Sequence, residues 1–203
     1  CLCKRKGDKN MDEIKLQIKG KEHDTYTIHY SCYGFYNGGA YAPAICTISL
    51  VNYATKELHS FALNNYLVQG KSLIESEQLM LKDFVDFYQN LNNPIFVHWN
   101  MDGLEYGFNA IRARAENFGM YDFDLTKIKD YNLSTVFHTN LMTSLEQNNC
   151  KRITVLNGKD EANCFNKRAF EIVKMSTDGK AIGLSDLFEK YLSNALADDD
   201  DDY

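Results

Sequence analysis

The chain has 203 residues, 44% of them hydrophobic, 25% charged and 13% aromatic, with only two prolines. At roughly 100–200 residues per domain this is one domain with a core large enough to need neither disulfide nor metal, and such a composition excludes general disorder. The net charge of −6 comes largely from the five acids Asp198 to Asp202, so the body is nearly neutral and neither requires nor excludes a nucleic-acid partner.

No run of about 18 apolar residues marks a membrane span, so no membrane partner is expected. No secretory signal with a long apolar centre is present either. None of the six cysteines forms a Cys-x-x-Cys pair, and Cys46 and Cys164 fall where free core cysteines fall. A reducing cytoplasm is the expected setting. Cys1 and Cys3 beside Lys4, Arg5 and Lys6 permit a lipidation reading, but an irregular start before Met11 is simpler. The expected organisation is a basic, mobile segment over 1–11, a single α/β domain over 12–196 and an acidic tail over 197–203.

In chain order, residues 25–35 (TYTIHYSCYGF) are rich in β-branched and aromatic types and predict a first strand, ended by a turn at Asn37-Gly38-Gly39. Strands over 44–53 and 57–63 follow as an antiparallel hairpin. From Glu75 to Leu91 the period changes: Leu81, Phe84, Val85, Tyr88 and Leu91 line one face of a helix, stopped by Asn92-Asn93-Pro94. A short apolar strand over 95–100 (IFVHWN) is converted by a polar turn into a helix with Leu104, Phe108, Ile111 and Ala115 inward, ended by Gly119. Residues 120–153 read as short helices and loops. Two closing helices are expected over about 159–175 and 182–196.

Three strands, a helix, a strand and a helix resemble the ribonuclease H-like fold of proofreading-type 3′–5′ exonucleases. That resemblance implies a mixed sheet with flanking helices and a site of three acidic motifs. There, carboxylates on the first strand, after the fourth strand and on a late helix hold two divalent metals, magnesium or manganese, about 4 Å apart. Here the first strand carries His29, Ser31, Cys32 and Tyr33 in place of Asp-x-Glu. His98-Trp99-Asn100 followed by Asp102 and Glu105 is similar to the second motif, with the acids at other offsets. Asp186, expected at the start of the last helix, stands for the third. The blocks 29–38, 97–119, 138–149 and 157–165 also resemble a family of uncharacterised bacterial proteins, which implies one bacterial, cytoplasmic domain and carries no catalytic residue.

Ligands in open α/β sheets gather beyond the carboxyl ends of strands, which singles out His98, Asn100, Asp102 and Glu105 as candidate ligand-binding residues. Their acids would carry a cation; the alternative is that Asn100 or Asp102 caps the next helix and Glu105 favours its dipole. His29 joins them if the first and fourth strands are neighbours, since two imidazoles near a carboxylate make a metal or acid–base site; the alternative is two hydrogen-bonded buried histidines. Cys32 beside His29 would need an oriented base to act as a nucleophile. Arg112 and Arg114 would contact phosphates or form the solvated side of their helix. Tyr33, Phe35, Tyr36 and Tyr41 would stack bases or pack a hairpin. His138 has no companion at a recognisable spacing. The expected function is a catalytically silent nuclease-like module that binds nucleic acid, a nucleotide or a protein partner. The alternative is a divalent-metal-dependent nuclease with a nonstandard active site.

Overall fold

Alternation along the first strands sets up two chemically different faces of one sheet. A computed structural model describes residues 6–34, 41–67, 69–103, 105–121, 123, 128–137, 139–150 and 155–196, with side chains from residue 12 onward. Strands β1 (Thr25–Cys32), β2 (Ile45–Asn52), β3 (Leu58–Ala62), β4 (Ile95–His98) and β5 (Lys129–Asn132) form one mixed sheet in the order β3-β2-β1-β4-β5. β1–β2 and β2–β3 pair antiparallel, whereas β4 runs parallel to β1 and β5 parallel to β4. This is the expected α/β fold with a mixed sheet and flanking helices. Among the described residues no helix is long and apolar enough to cross a membrane.

On one face, Tyr26, Ile28 and Tyr30 of β1 join Ile48 and Leu50 of β2 and Phe96 of β4. Helix α2 (Leu73–Gln89) covers them with Met80, Leu81, Phe84 and Val85, and helix α3 (Phe108–Asn117) with Ile111 and Ala115. The start of α2 is fixed by a capping box: Ser72 Oγ accepts from Glu75 N at 3.2 Å, and Ser72 N donates to Glu75 Oε2 at 2.7 Å.

The opposite face of β1 and β2 is polar. Helix α6 (Phe170–Ser193) lies on it with small and polar residues. Thr27 Oγ1 donates to Ala181 O at 3.1 Å, Thr177 Oγ1 to Ser31 Oγ at 2.9 Å, and Ser49 and Ser60 both donate to Asp178 at 2.6 and 2.7 Å. Satisfying these buried hydroxyls removes the penalty of placing them there. Further along, Leu184, Leu187 and Phe188 meet Ile95 and Val97, with Ile14 and Ile18 of α1 (Lys6–Ile18) and Leu145 of α4 (Leu141–Gln147).

Five expectations change. The two closing helices are instead α5 (Gly158–Asn166) and the 24-residue α6; the break falls at Arg168, whose φ of 58° is left-handed. Residues 176–181, expected between the two helices, are helical, with Thr177 and Asp178 meeting the sheet and Ser176 meeting Glu161 of α5. Asp186 accordingly sits within α6 and not at its start. Residues 129–132 form a strand, not a loop, and residues 6–18 form a helix that periodicity does not announce. The helix after β4 starts at Phe108, later than the expected stripe from Leu104, because the chain folds back so that Phe108 N donates to Met101 O at 2.9 Å. Leu104, Phe35, Tyr36 and His138 lie outside the described residues.

Candidate functional site

Because β1 and β4 are parallel neighbours, their carboxyl ends lie side by side, and a cavity of about 710 Å³ opens beyond them. Strand ends of this kind leave backbone and side-chain groups uncovered where the sheet stops. β1 contributes His29 and Ser31 to the lining, and β4 is continued by Trp99 and Asn100. The rim holds Asn140 and Asn157, which cap α4 and α5 by accepting from Thr143 N at 3.1 Å and Asp160 N at 3.0 Å. Glu161 of α5 and Lys180 of α6 close the back.

Lys180 Nζ donates to Glu161 Oε1 at 2.7 Å with both side chains 6% exposed, and Ser176 Oγ donates to the same oxygen at 2.6 Å. This neutralised pair brings no net charge to the cavity. The aromatic walls are Tyr33, Tyr106 and Trp99. Tyr106 stacks on Tyr30 with centroids 4.5 Å apart, and its hydroxyl donates to Tyr30 O at 2.7 Å. Burial pushes both phenols well above their ordinary values, so they are neutral hydroxyls. Trp99 is buried against Phe137 with ring centroids 5.4 Å apart, pointing away from His98 as the alternation requires.

His29 is 7% exposed, and no described group hydrogen-bonds its ring; Nδ1 is fully shielded and orphaned. Burial first, and the Lys180 ammonium second, hold its pKa well below 6.5. Among the described residues, the charged and titratable groups around the cavity are Lys180 on α6, Lys159 and Glu161 on α5, Tyr106 before α3, Tyr30 and Cys32 on β1 itself, and Tyr33 just after it. Since the unfolded chain takes up this proton near pH 6.5 and the folded one resists it, the unfolded state binds more protons below that pH. The stability attached to a neutral His29 is therefore complete above about pH 6.5 and is lost as pH falls toward the folded-state pKa. Urea midpoints at pH 7.5 and pH 5 should fall in wild type, by at most about 1.4 kcal/mol per pH unit from this group, and fall less in His29→Phe. An unchanged decline in the variant would assign the acid sensitivity to other residues.

His29 and His98 do not converge. Thr27 pairs with Val97, so His98 shares the face of Phe96 and Ile28, while His29 shares that of Thr27. His98 is a fixed structural group: its Nδ1 accepts from Met101 N at 3.0 Å, and Nε2 therefore carries the proton toward Asp130 Oδ2 at 2.8 Å. Asn100, at φ 53°, lies at the rim of the cavity, where its backbone N donates to Asn132 Oδ1 at 3.0 Å and its side-chain oxygen accepts from Ser134. Asp102 accepts from Asn132 Nδ2 at 3.1 and 3.2 Å, tying the turn to β5, so it does not cap α3. The N-cap of α3 is Gly107. Glu105 is exposed and does not line the cavity. Arg112 pairs along its helix with Glu116 at 3.7 Å, while Arg114 is drawn inward to Glu77. Cys32 donates to Gly34 O at 3.0 Å, and burial pushes its thiol up to about 11, the opposite of an activated nucleophile.

Lys180, Glu161 and Tyr106 are among the cavity residues that sequence reading misses, as are Asn140, Asn157 and Lys159. The available signal was Lys180 itself, a charge between Thr177 and Leu184 on what proves to be the inward face of a helix. Among the described residues no three His, Cys, Asp or Glu are placed to hold a metal ion. No protein-family model matches the chain, and no curated protein matches it significantly.

Proposed function

We propose that the chain is a non-catalytic module of ribonuclease H-like fold that binds a nucleotide, free or as the end of a nucleic-acid strand, in the cavity beyond β1 and β4. The sheet order and the parallel addition of β4 and β5 support the fold reading. The observation that carries the functional reading is the cavity: mostly apolar, walled by Tyr33, Tyr106 and Trp99, and placed where such sheets bind ligands. Aromatic walls accept any base because every base has a π-face.

Metal-assisted hydrolysis fits this lining poorly. Two-metal chemistry needs several carboxylates facing the scissile phosphate, whereas among the described residues the lining supplies one carboxylate, Glu161, already satisfied by Lys180.

Trp99 is the single tryptophan, so its fluorescence reports on the cavity. Titration with the four nucleoside monophosphates and a short single-stranded oligonucleotide, with magnesium present, should give saturable quenching and leave the oligonucleotide intact. Tyr33→Ala, at a position 48% exposed, should weaken binding about tenfold, toward the lower end of the roughly 1–3 kcal/mol that stacking one base contributes. Absence of quenching by every probe would sink the reading. Release of mononucleotides by the purified protein would replace it with the nuclease alternative.

A further inference from the structure

The buried end of the cavity combines an ion pair, Glu161 with Lys180, with one polar side chain that has no partner among the described residues. Glu161 and Lys180 cancel one another at 2.7 Å and Ser31 accepts from Thr177, which leaves His29, over nine-tenths buried and lining the space, as the unpartnered polar group among the described residues deep in the site. A buried polar group without a partner is destabilising, and a bound ligand that pairs with it relieves that cost. With Nδ1 shielded, Nε2 is the ring nitrogen left to meet that ligand.

Resting on the nucleotide reading, we propose that recognition is directed at the base and not at the phosphate: the heterocycle enters the cavity and His29 reads its polar edge. An uncharged heterocycle fits on three counts. Its faces match the aromatic walls. Its edge donors and acceptors match an imidazole held neutral by burial. It also brings no charge to the buried depth of the site, where a phosphate would be desolvated with Lys180 already committed to Glu161, the other lysine of the described lining, Lys159, being exposed. The phosphate stays toward solvent at the mouth. His29 is thereby the residue that discriminates between bases, because a site built around a hydrogen bond rejects a ligand that leaves that group unpaired.

The test compares adenosine, guanosine, cytidine, uridine, their 5′-monophosphates and ribose 5-phosphate by Trp99 quenching on the full chain. Each nucleoside should bind within about threefold of its monophosphate, and ribose 5-phosphate should neither bind nor compete. Across the four nucleosides affinity should spread by about tenfold or more, the scale set by one satisfied or unsatisfied buried hydrogen bond. His29→Phe keeps the ring volume and should collapse that spread to about threefold. His29→Gln, whose amide reaches the Nε2 position, should restore most of it. Circular dichroism on both variants checks folding, and His29→Gln gives the answer if His29→Phe fails to fold. Competition by ribose 5-phosphate with silent nucleosides would overturn base-directed recognition while leaving nucleotide binding intact. A spread unchanged in both variants would remove His29 from the role. Silence toward every nucleotide and oligonucleotide is the separate failure of the nucleotide reading itself.

Discussion

Arg114→Ala should lower stability by about 3–5 kcal/mol, the cost of leaving one member of a buried ion pair without its partner. Glu77 of α2 is 2% exposed and Arg114 of α3 13% exposed. The guanidinium grips the carboxylate with both ends, Nε to Oε1 at 2.8 Å and a terminal nitrogen to Oε2 at 2.5 Å. Glu77 Oε1 also accepts from Ile45 N at 2.7 Å, Arg114 donates to Ala42 O at 3.1 Å, and its carbon lies 4.8 Å from the centre of the Phe118 ring. The pair therefore joins two helices to the segment that enters β2. Deleting either side strands a largely buried charge, so Glu77→Ala should cost nearly as much as Arg114→Ala. The double variant should cost well under the sum, and Glu77→Met with Arg114→Leu should approach wild type, because apolar packing replaces such pairs with little loss. Urea denaturation of the four proteins forms the cycle. Additive losses, or a loss under about 1 kcal/mol in Arg114→Ala, would show that the pair is solvated in solution. Arg114→Lys is not a rescue, since an ammonium lacks the planar fork that meets both carboxylate oxygens.

That arginine also marks how far sequence reading reaches. Strands β1 to β3, β4 and helix α2 are legible because each buries a face whose period shows in the residue types: Tyr26, Ile28 and Tyr30 alternate, and Leu81, Phe84 and Val85 follow helical spacing. β5 is not legible, because Lys129-Asp130-Tyr131-Asn132 is an edge strand without an apolar alternation. Its value lies in Asp130, which fixes His98, and Asn132, which fixes Asn100 and Asp102. α6 reads as two helices for a related reason: the face it turns to the sheet is hydroxyl-rich, so Thr177 and Asp178 look like solvent-facing residues when they meet Ser31 and Ser49. The candidate site is half legible. The strand end at Asn100 and the β1 position of His29 follow from local pattern, but whether His29 meets His98 depends on parallel register, and register depends on contacts between residues about 70 apart. Lys180 and Glu161 converge only after α5 and α6 fold against each other, so their pairing has no local signature.

Gly107→Ala should cost more than about 4 kcal/mol or prevent folding, through the loop that completes the cavity. Gly107 has a φ of 108°, and a Cβ there would lie 1.8 Å from the carbonyl oxygen of Met101 and 2.3 Å from its carbon. Both neighbours are fixed. Gly107 N donates to Tyr30 Oη at 2.9 Å, and Phe108 N holds Met101 O at 2.9 Å, so the backbone cannot back away without breaking the start of α3. Conformational strain alone would not reach this figure. Gly119, at φ 81° with nothing within 4 Å of its Cβ position, supplies the comparison: Gly119→Ala should lose only about 1–2 kcal/mol, the cost of a left-handed alanine. A difference of a few kcal/mol between the two variants in urea denaturation therefore isolates the steric term. Similar losses in both would mean that the turn relaxes freely. The consequence for the site is direct, because Tyr106 precedes Gly107 and reaches the cavity only while its ring lies on Tyr30 and its hydroxyl on Tyr30 O. Any fraction of Gly107→Ala that folds should lose the Tyr106 wall, and with it the stacking surface on which base recognition depends.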